Sequence, residues 1–304
     1  MKSSNWLLYA VITTLLWGVW GAFAGTPSGN GFPETLNYVV WALTMIVPAW
    51  VVMHRAGWRL KRDGRSVWLG MVIGMLGAGG QMILFHAVKI GPTYLIFPII
   101  SLSPMVTIAL SFFLLKERVG KLGMAGIVLA ACALPLFDYA PGQPANMGVW
   151  FVLSLVVLLA WGLQSYFIRL ANATMDAESI FFYMTVSGLA FIPVALLLTD
   201  FSQPINYGLS GPGLAAVVQI LNAVGALTLV YAFRFGKAIV VSPMVNAGAP
   251  LLTSVIAMAV AGVMPGQFKL AGILLALLAA LLLALPDAEP DAEPDTDFSN
   301  RTQS

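Results

Sequence analysis

Short words of this sequence occur twice, in the same order and at a nearly constant separation. WGVWGAF at 17–23 returns as WGLQSYF at 161–167, and AVKIGP at 87–92 returns as AFRFGK at 232–237. Pro104 and Gly126 return as Pro250 and Gly272, so the offset steps through 144, 145 and 146 along the chain. The second half is therefore a copy of the first with two one-residue insertions, and whatever one copy builds the other must build again.

What each copy builds follows from its solvent. The chain is 59% hydrophobic and 9% charged, against a charged share of about 25% in ordinary soluble domains. Apolar runs long enough to cross about 30 Å of hydrocarbon fall near 6–24, 36–53, 67–88, 93–115 and 121–139, then near 147–169, 178–199, 211–233, 238–263 and 267–285. That pattern predicts an all-α polytopic membrane protein of ten spans, five per copy. Cys132 lies within one of these runs, cannot form an intrachain disulfide, and is expected to be buried and inert.

Charge tests the count independently, because a miscounted span would scramble the sidedness of every later loop. Lys2, then Arg55, Arg59, Lys61, Arg62 and Arg65, then Lys116, Arg118 and Lys121, then Arg169, Arg234, Lys237 and Arg301 all fall on alternate segments. Of the 15 Lys and Arg residues, only Lys89 and Lys269 fall on the other side. The expectation is a multi-pass protein of the cell's inner membrane with both termini cytoplasmic. The first run, with Ala22-Phe23-Ala24 near its end, has some look of a signal peptide. It is longer than such a segment needs, holds Trp17 and Trp20, and recurs internally at Trp161, so it is read as a retained first span. The expected divisions are a first repeat at 1–141, a second at 142–285 and a disordered acidic cytoplasmic tail at 286–304.

Five is an odd number, so the first copy leaves the chain on the side opposite to where it began and the second copy must insert inverted. Inverted-topology repeats are a recurring plan among secondary transporters, with substrate held near the midplane at the repeat interface. At this point the motifs carry a resemblance. WG in the first span, a short turn between the third and fourth, Pro104 within the fourth and then LLKERVGKLGMAGIVLAA, with Glu117 nine residues before Gly126, together resemble the EamA-type permeases of the drug/metabolite transporter superfamily. The likeness runs over roughly residues 6–285 and implies a fold of ten spans in two repeats and transport of a small molecule. One departure stands out: nine residues before Gly272 lies Val263, where the first copy has Glu117.

Ionisable groups deep in a bilayer are functional candidates by default, and every Asp and Glu here maps to a span end, a loop or the tail. Glu117 is a candidate for gating or coupling, set against local pairing with Lys116 and Arg118. His86, one turn from Lys89, is a candidate for proton coupling, set against plain packing or interfacial exposure. Lys89 and Arg234 occupy matching places two residues before Gly91 and Gly236, where a cation complements the end of a helix dipole. Directed into a cavity instead, they would favour an anion.

Neutral groups make the better cavity candidates. Trp17 and Trp20 lie three apart, as do Trp161 and Gln164 in the second copy, and each pair shares a helix face suited to lining a pocket for a neutral or zwitterionic solute. Gln81 and Asn222 are amides inside apolar runs and must face protein or a water-filled cavity. Ser101 and Asn246 are equivalent, each between two prolines, Pro98 and Pro104 in one copy and Pro243 and Pro250 in the other. Prolines free carbonyls and bend helices, and polar, bent segments at matching places mark a transporter's site. The glycines at 70, 74, 77, 79 and 80 are read as close helix packing rather than a phosphate loop, since no strand precedes them and no Lys-Ser/Thr follows.

The reading is a secondary transporter moving a small organic solute by alternating access, in either direction. A non-transporting scaffold or receptor is the alternative, and a polytopic membrane enzyme a weaker one, since HExxH, GxSxG and paired in-membrane carboxylates are all missing from the sequence. Expected partners are the solute and the lipid bilayer, with no nucleic acid, no metal and no cofactor; a homodimer stays open.

Overall fold

A computed structural model describes residues 5–115, 120–136, 148–171, 174–235 and 238–284. Glu117 lies outside them, as do Lys237 and the acidic tail. Every regular element among the described residues is helical. The first half forms α1 (Asn5–Phe23), α2 (Thr26–Gly29), α3 (Glu34–Thr44), α4 (Ile46–Arg55), α5 (Gly64–Ile90), α6 (Thr93–Ile100), α7 (Ser103–Leu115) and α8 (Lys121–Leu136). The second forms α9 (Val149–Ala171), α10 (Ala177–Ala190), α11 (Ile192–Leu197), a π-helical turn at Leu209–Gly213, α12 (Leu214–Phe235), α13 (Ala238–Ala261) and α14 (Gln267–Ala284).

Among the described residues, six helical stretches are long and apolar enough to cross a membrane: Trp6–Gly29, Glu34–Arg55, Gly64–Ile90, Val149–Ile168, Ala177–Leu197 and Leu209–Leu229. Shorter apolar helices at Thr93–Thr107, Lys121–Leu136, Gly248–Ala261 and Gln267–Leu282 lie where the other four runs were expected. Large apolar side chains stand exposed around the outside, Phe113 at 73% and Leu197 at 86%, a surface that suits lipid rather than water. Cys132 is part of it. The thiol is exposed, contrary to the expectation of burial, because an apolar run in such a chain faces lipid as readily as protein.

Local sequence explains where helices start and break. Asp63 and Asp176 cap α5 and α10, accepting from the amides of Ser66 at 3.0 Å and Ser179 at 2.7 Å, and each is followed three residues on by that serine. The hydroxyl and amide of Ser66 hold the Asp63 carboxyl below its usual range, and Ser202 does the same for Asp200. The α3–α4 break at Met45 precedes Pro48, and the α10–α11 break at Phe191 precedes Pro193; the two prolines are 145 residues apart. In each case proline withholds an amide from the preceding turn. Similarly α6 and α7 part at Ser101 and Leu102, just before Pro104. The second copy departs from the expected match: α13 runs unbroken through Pro243 and Pro250, packed along α1.

Packing is reciprocal between the halves. α1 packs against α12 and α13 of the second half, and α9 packs against α5, α6 and α7 of the first. Thr253 donates its hydroxyl to the Gly18 carbonyl at 3.0 Å, and Thr107 donates to the Gly162 carbonyl at 2.9 Å. Glycine permits these approaches. A Cβ on Gly225 would strike Trp17 and one on Gly80 would strike Trp161. The rest of the α5 glycine stripe serves the same end, with Gly70 against Tyr183, Gly74 against Ser187 and Gly77 against Gln164, as the packing reading expects. Gly79 has open space around it.

Candidate functional site

A cavity of about 130 Å³ lies where α1, α6, α7, α9 and α13 meet. Its wall is formed by Trp17, Trp20, Phe97, Ile100, Ser101, Ser103, Pro104, Trp161, Val245, Ala249, Pro250 and Thr253. Much of that wall comes in repeat-related pairs: Trp17 with Trp161, Ile100 with Val245, Ser103 with Ala249 and Pro104 with Pro250. The space is large enough for more than one water and admits a small solute. Trp20 stands edge-on to Phe97, with ring centroids 5.9 Å apart. None of the described wall residues is ionisable.

Each indole has its N–H committed elsewhere. Trp17 donates to the Asn222 carbonyl at 3.2 Å, and Trp161 reaches the Gly77 carbonyl at 3.4 Å. Gly77 and Asn222 are 145 residues apart, so the two tryptophans make matching bonds. Trp20 donates to Oε1 of Gln219 at 2.9 Å, Gln219 Nε2 donates to Oδ1 of Asn37 at 3.1 Å, and Asn37 Nδ2 donates to the Ala24 carbonyl at 3.0 Å. Gln219 and Asn37 are fully buried. Such a chain, satisfied end to end, fixes the Trp20 ring beside the cavity.

Four of the candidate residues, Trp17, Trp20, Ser101 and Trp161, thus share one cavity. Ser101 donates its hydroxyl to the Pro98 carbonyl at 2.7 Å. Asn246 belongs to α13, between Val245 and the lining residue Ala249, but its side chain lies outside the described residues. The other candidates stand apart. Gln164 is buried against Gly77. Asn222 accepts from the Trp41 indole at 3.0 Å and acts as a brace. Gln81 is buried, and its amide nitrogen has no hydrogen-bond partner among the described residues.

His86 and Lys89 lie at the end of α5, away from the cavity wall. His86 Nδ1 is 3.0 Å from Glu34 Oε1, and Lys89 Nζ is 2.6 Å from Glu34 Oε2, joining α5 to the start of α3. His86 and Lys89 are half-exposed. Gly91 after them is extended at φ −135° and leaves room for Trp150; it serves close approach rather than a left-handed helix end. The side chain of Arg234 lies outside the described residues, as does Glu117.

Sequence reasoning missed Glu34, Asn37, Gln219, Thr107 and Thr253. Asn37 and Gln219 carried the same signal as Gln81 and Asn222, an amide within an apolar run. Thr107 and Thr253 were legible only as a pair, 146 residues apart and each three residues after a duplicated proline.

Known proteins resemble the chain in sequence and in fold. The EamA-like transporter family model matches residues 4–137. This segment, less than half of the chain, resembles the EamA-like transporter family. The EamA match covers α1–α8 and hence the Trp17, Trp20 and Ser101 side of the cavity, and with six membrane-length apolar helices it places the chain among multi-pass membrane proteins. Protein LicB of Haemophilus influenzae (strain ATCC 51907 / DSM 11121 / KW20 / Rd) is 23% identical, over 46% of this chain and 52% of that protein. The chain thus spans about half the length of that relative. A protein solved as a crystal structure shares the fold with a TM-score of 0.63 at 19% identity, over 93% of this chain and 99% of its own.

Proposed function

We propose that the chain is a secondary transporter that moves a small organic metabolite by alternating access, with ten spans arranged as two inverted five-span halves. The supporting observation is the cavity whose walls are paired by the repeat: the first helix of each half seats its tryptophan against the other half, through matching bonds at Gly77 and Asn222. Two halves with interchangeable packing give outward-open and inward-open states of comparable free energy, as this transport cycle requires. The cytoplasmic side is assigned to the basic loops, with both termini there in an inner membrane. Family kinship argues for transport over a scaffold or an enzyme.

In this reading Trp17, Trp20, Trp161, Ser101 and Asn246 contact solute, while Gln164 and Asn222 hold the surrounding helices. His86, through Glu34, and Glu117 are the groups available for coupling or gating. Counterflow of radiolabelled amino acids, sugars, nucleosides and amines into proteoliposomes tests the proposal. Saturable uptake of a solute above empty liposomes supports it, and no uptake of any of them contradicts it.

A further inference from the structure

We infer that the segment between α4 and α5 is a binding platform for anionic phospholipid, with basic side chains for the charged phosphodiester head group and tryptophans for the boundary with the acyl chains. This requires the chain to sit in a bilayer and is independent of whether it transports. Residues 55–65 hold Arg55, Arg59, Lys61, Arg62 and Arg65 against a single acid, Asp63, and all six are exposed. The Asp63 carboxyl is engaged in its helix cap, accepting from the amide and the hydroxyl of Ser66 at 3.0 and 2.6 Å. Among the described residues, Arg59, Lys61, Arg62 and Arg65 have no salt-bridge partner. A cluster of about four to eight cations beside a membrane span attracts anionic lipid, and a guanidinium meets a phosphate with paired N–H bonds.

The backbone beneath these charges is fixed. Lys61 is held at both of its peptide groups, the N–H donating to Oγ of Ser179 at 3.1 Å and the carbonyl accepting from the Tyr183 hydroxyl at 2.7 Å. Leu60 packs on the cluster of Ile73, Ile180 and Tyr183. α4 ends in a closed turn, in which Gly57 N–H donates to the His54 carbonyl at 3.0 Å and Trp58 N–H to the Met53 carbonyl at 2.8 Å. Gly57 and Trp58 both adopt left-handed φ, 65° and 55°. Glycine accepts that backbone freely and a bulky residue does not, yet the Trp58 ring is 51% exposed and gains little from packing. An indole so placed gains instead at the level of lipid head groups, where tryptophan is enriched. Trp50 and Trp68 are also exposed. They lie five residues before the end of α4 and four after the start of α5, about 6–8 Å farther along their helices, so three indoles flank the charges at interfacial depth. The corresponding connection of the second half, 199–207, has no Lys or Arg and one acid, Asp200. The duplicated fold therefore does not need the cluster.

The test is native mass spectrometry of the purified full chain in nonionic detergent, titrated with phosphatidylglycerol and with phosphatidylcholine of the same acyl chains. Phosphatidylglycerol should bind about tenfold tighter or more. Arg59→Gln, Lys61→Gln, Arg62→Gln and Arg65→Gln made together should abolish that preference, and Lys269→Gln, outside the segment, should leave it unchanged. Trp58→Asn removes the ring and keeps a residue that tolerates the left-handed turn; it should weaken binding of both lipids. Equal affinity of the unaltered chain for the two lipids overturns the inference without recourse to a variant that could misfold. An undiminished preference in the fourfold Gln variant overturns it as well. Displacement of phosphatidylglycerol by an equal concentration of inorganic phosphate would assign the cluster to free anions and likewise overturn it.

Discussion

Thr253 donates its hydroxyl to the carbonyl oxygen of Gly18 at 3.0 Å, tying α13 of the second half to α1 of the first. Thr107 repeats the bond to Gly162 at 2.9 Å, tying α7 to α9. Because both carbonyls belong to the WG words that open each copy, the repeat is expressed in three dimensions as a pair of cross-half fastenings beside one cavity. Interhelical hydrogen bonds in membranes are worth about 0.6 kcal/mol on average. Thr253→Val should therefore lower thermal stability in detergent only slightly while slowing transport, since its hydroxyl is also in the cavity wall. Loss of folded protein comparable to a core truncation would refute that division of roles.

Gly225 and Gly80 admit Trp17 and Trp161, two of the three cavity tryptophans. At Gly80 an added Cβ would lie 2.5 Å from the Trp161 indole nitrogen, and an indole has no flexible end to give way. Gly80→Ala and Gly225→Ala should each cost about 1–3 kcal/mol by overpacking and displace the ring beside the cavity. Unfolding midpoints and solute affinity should fall together. Gly79→Ala, in open space, is the control and should leave both nearly unchanged.

Gln219 is fully buried and joins Trp20 to Asn37. Gln219→Leu leaves a buried indole N–H and an amide oxygen without partners, at about 1–3 kcal/mol for each group stranded. Chemical denaturation in mixed micelles should show the loss, and Asn37→Leu added to it should cost less than the sum of the two single changes, because the pair acts as a unit.

How much of this was readable beforehand depends on what the code has to specify. The positions of the apolar helices were legible because apolar length is a local property. The breaks at Met45 and Phe191 depend on Pro48 and Pro193, a duplicated pair that the sequence does carry. Trp17, Trp20 and Trp161 stand out in the sequence because they lie in the words WGVWGAF and WGLQSYF, and Ser101 because it lies between Pro98 and Pro104. Gln164 and Asn222 looked alike in sequence, yet each packs against a neighbouring helix, and only the tertiary fold decides which side of a helix meets a cavity. Cys132 shows the same ambiguity between lipid and core.

Acid stability should report the helix cap at Asp63. Its carboxyl is held low by Ser66, so its contribution is fully present above the ordinary carboxylate range and is lost as pH falls through the lowered native value. The unfolding midpoint should be flat around neutral pH and decline in strong acid. Asp63→Asn, which keeps a capping oxygen but cannot titrate, should decline less over the same interval; an identical decline would mean that the cap is not coupled to stability.

The opposed insertion of the two halves is the claim on which the rest depends, and matched loops report it directly. Arg59 lies between α4 and α5, and Gln203 in the corresponding connection of the second half. In a Cys132→Ser background, Arg59→Cys and Gln203→Cys are exposed in turn to a membrane-impermeant thiol reagent on intact cells. Gln203→Cys should label at once and Arg59→Cys only after the membrane is opened. Labelling of both from the same side would contradict inverted halves.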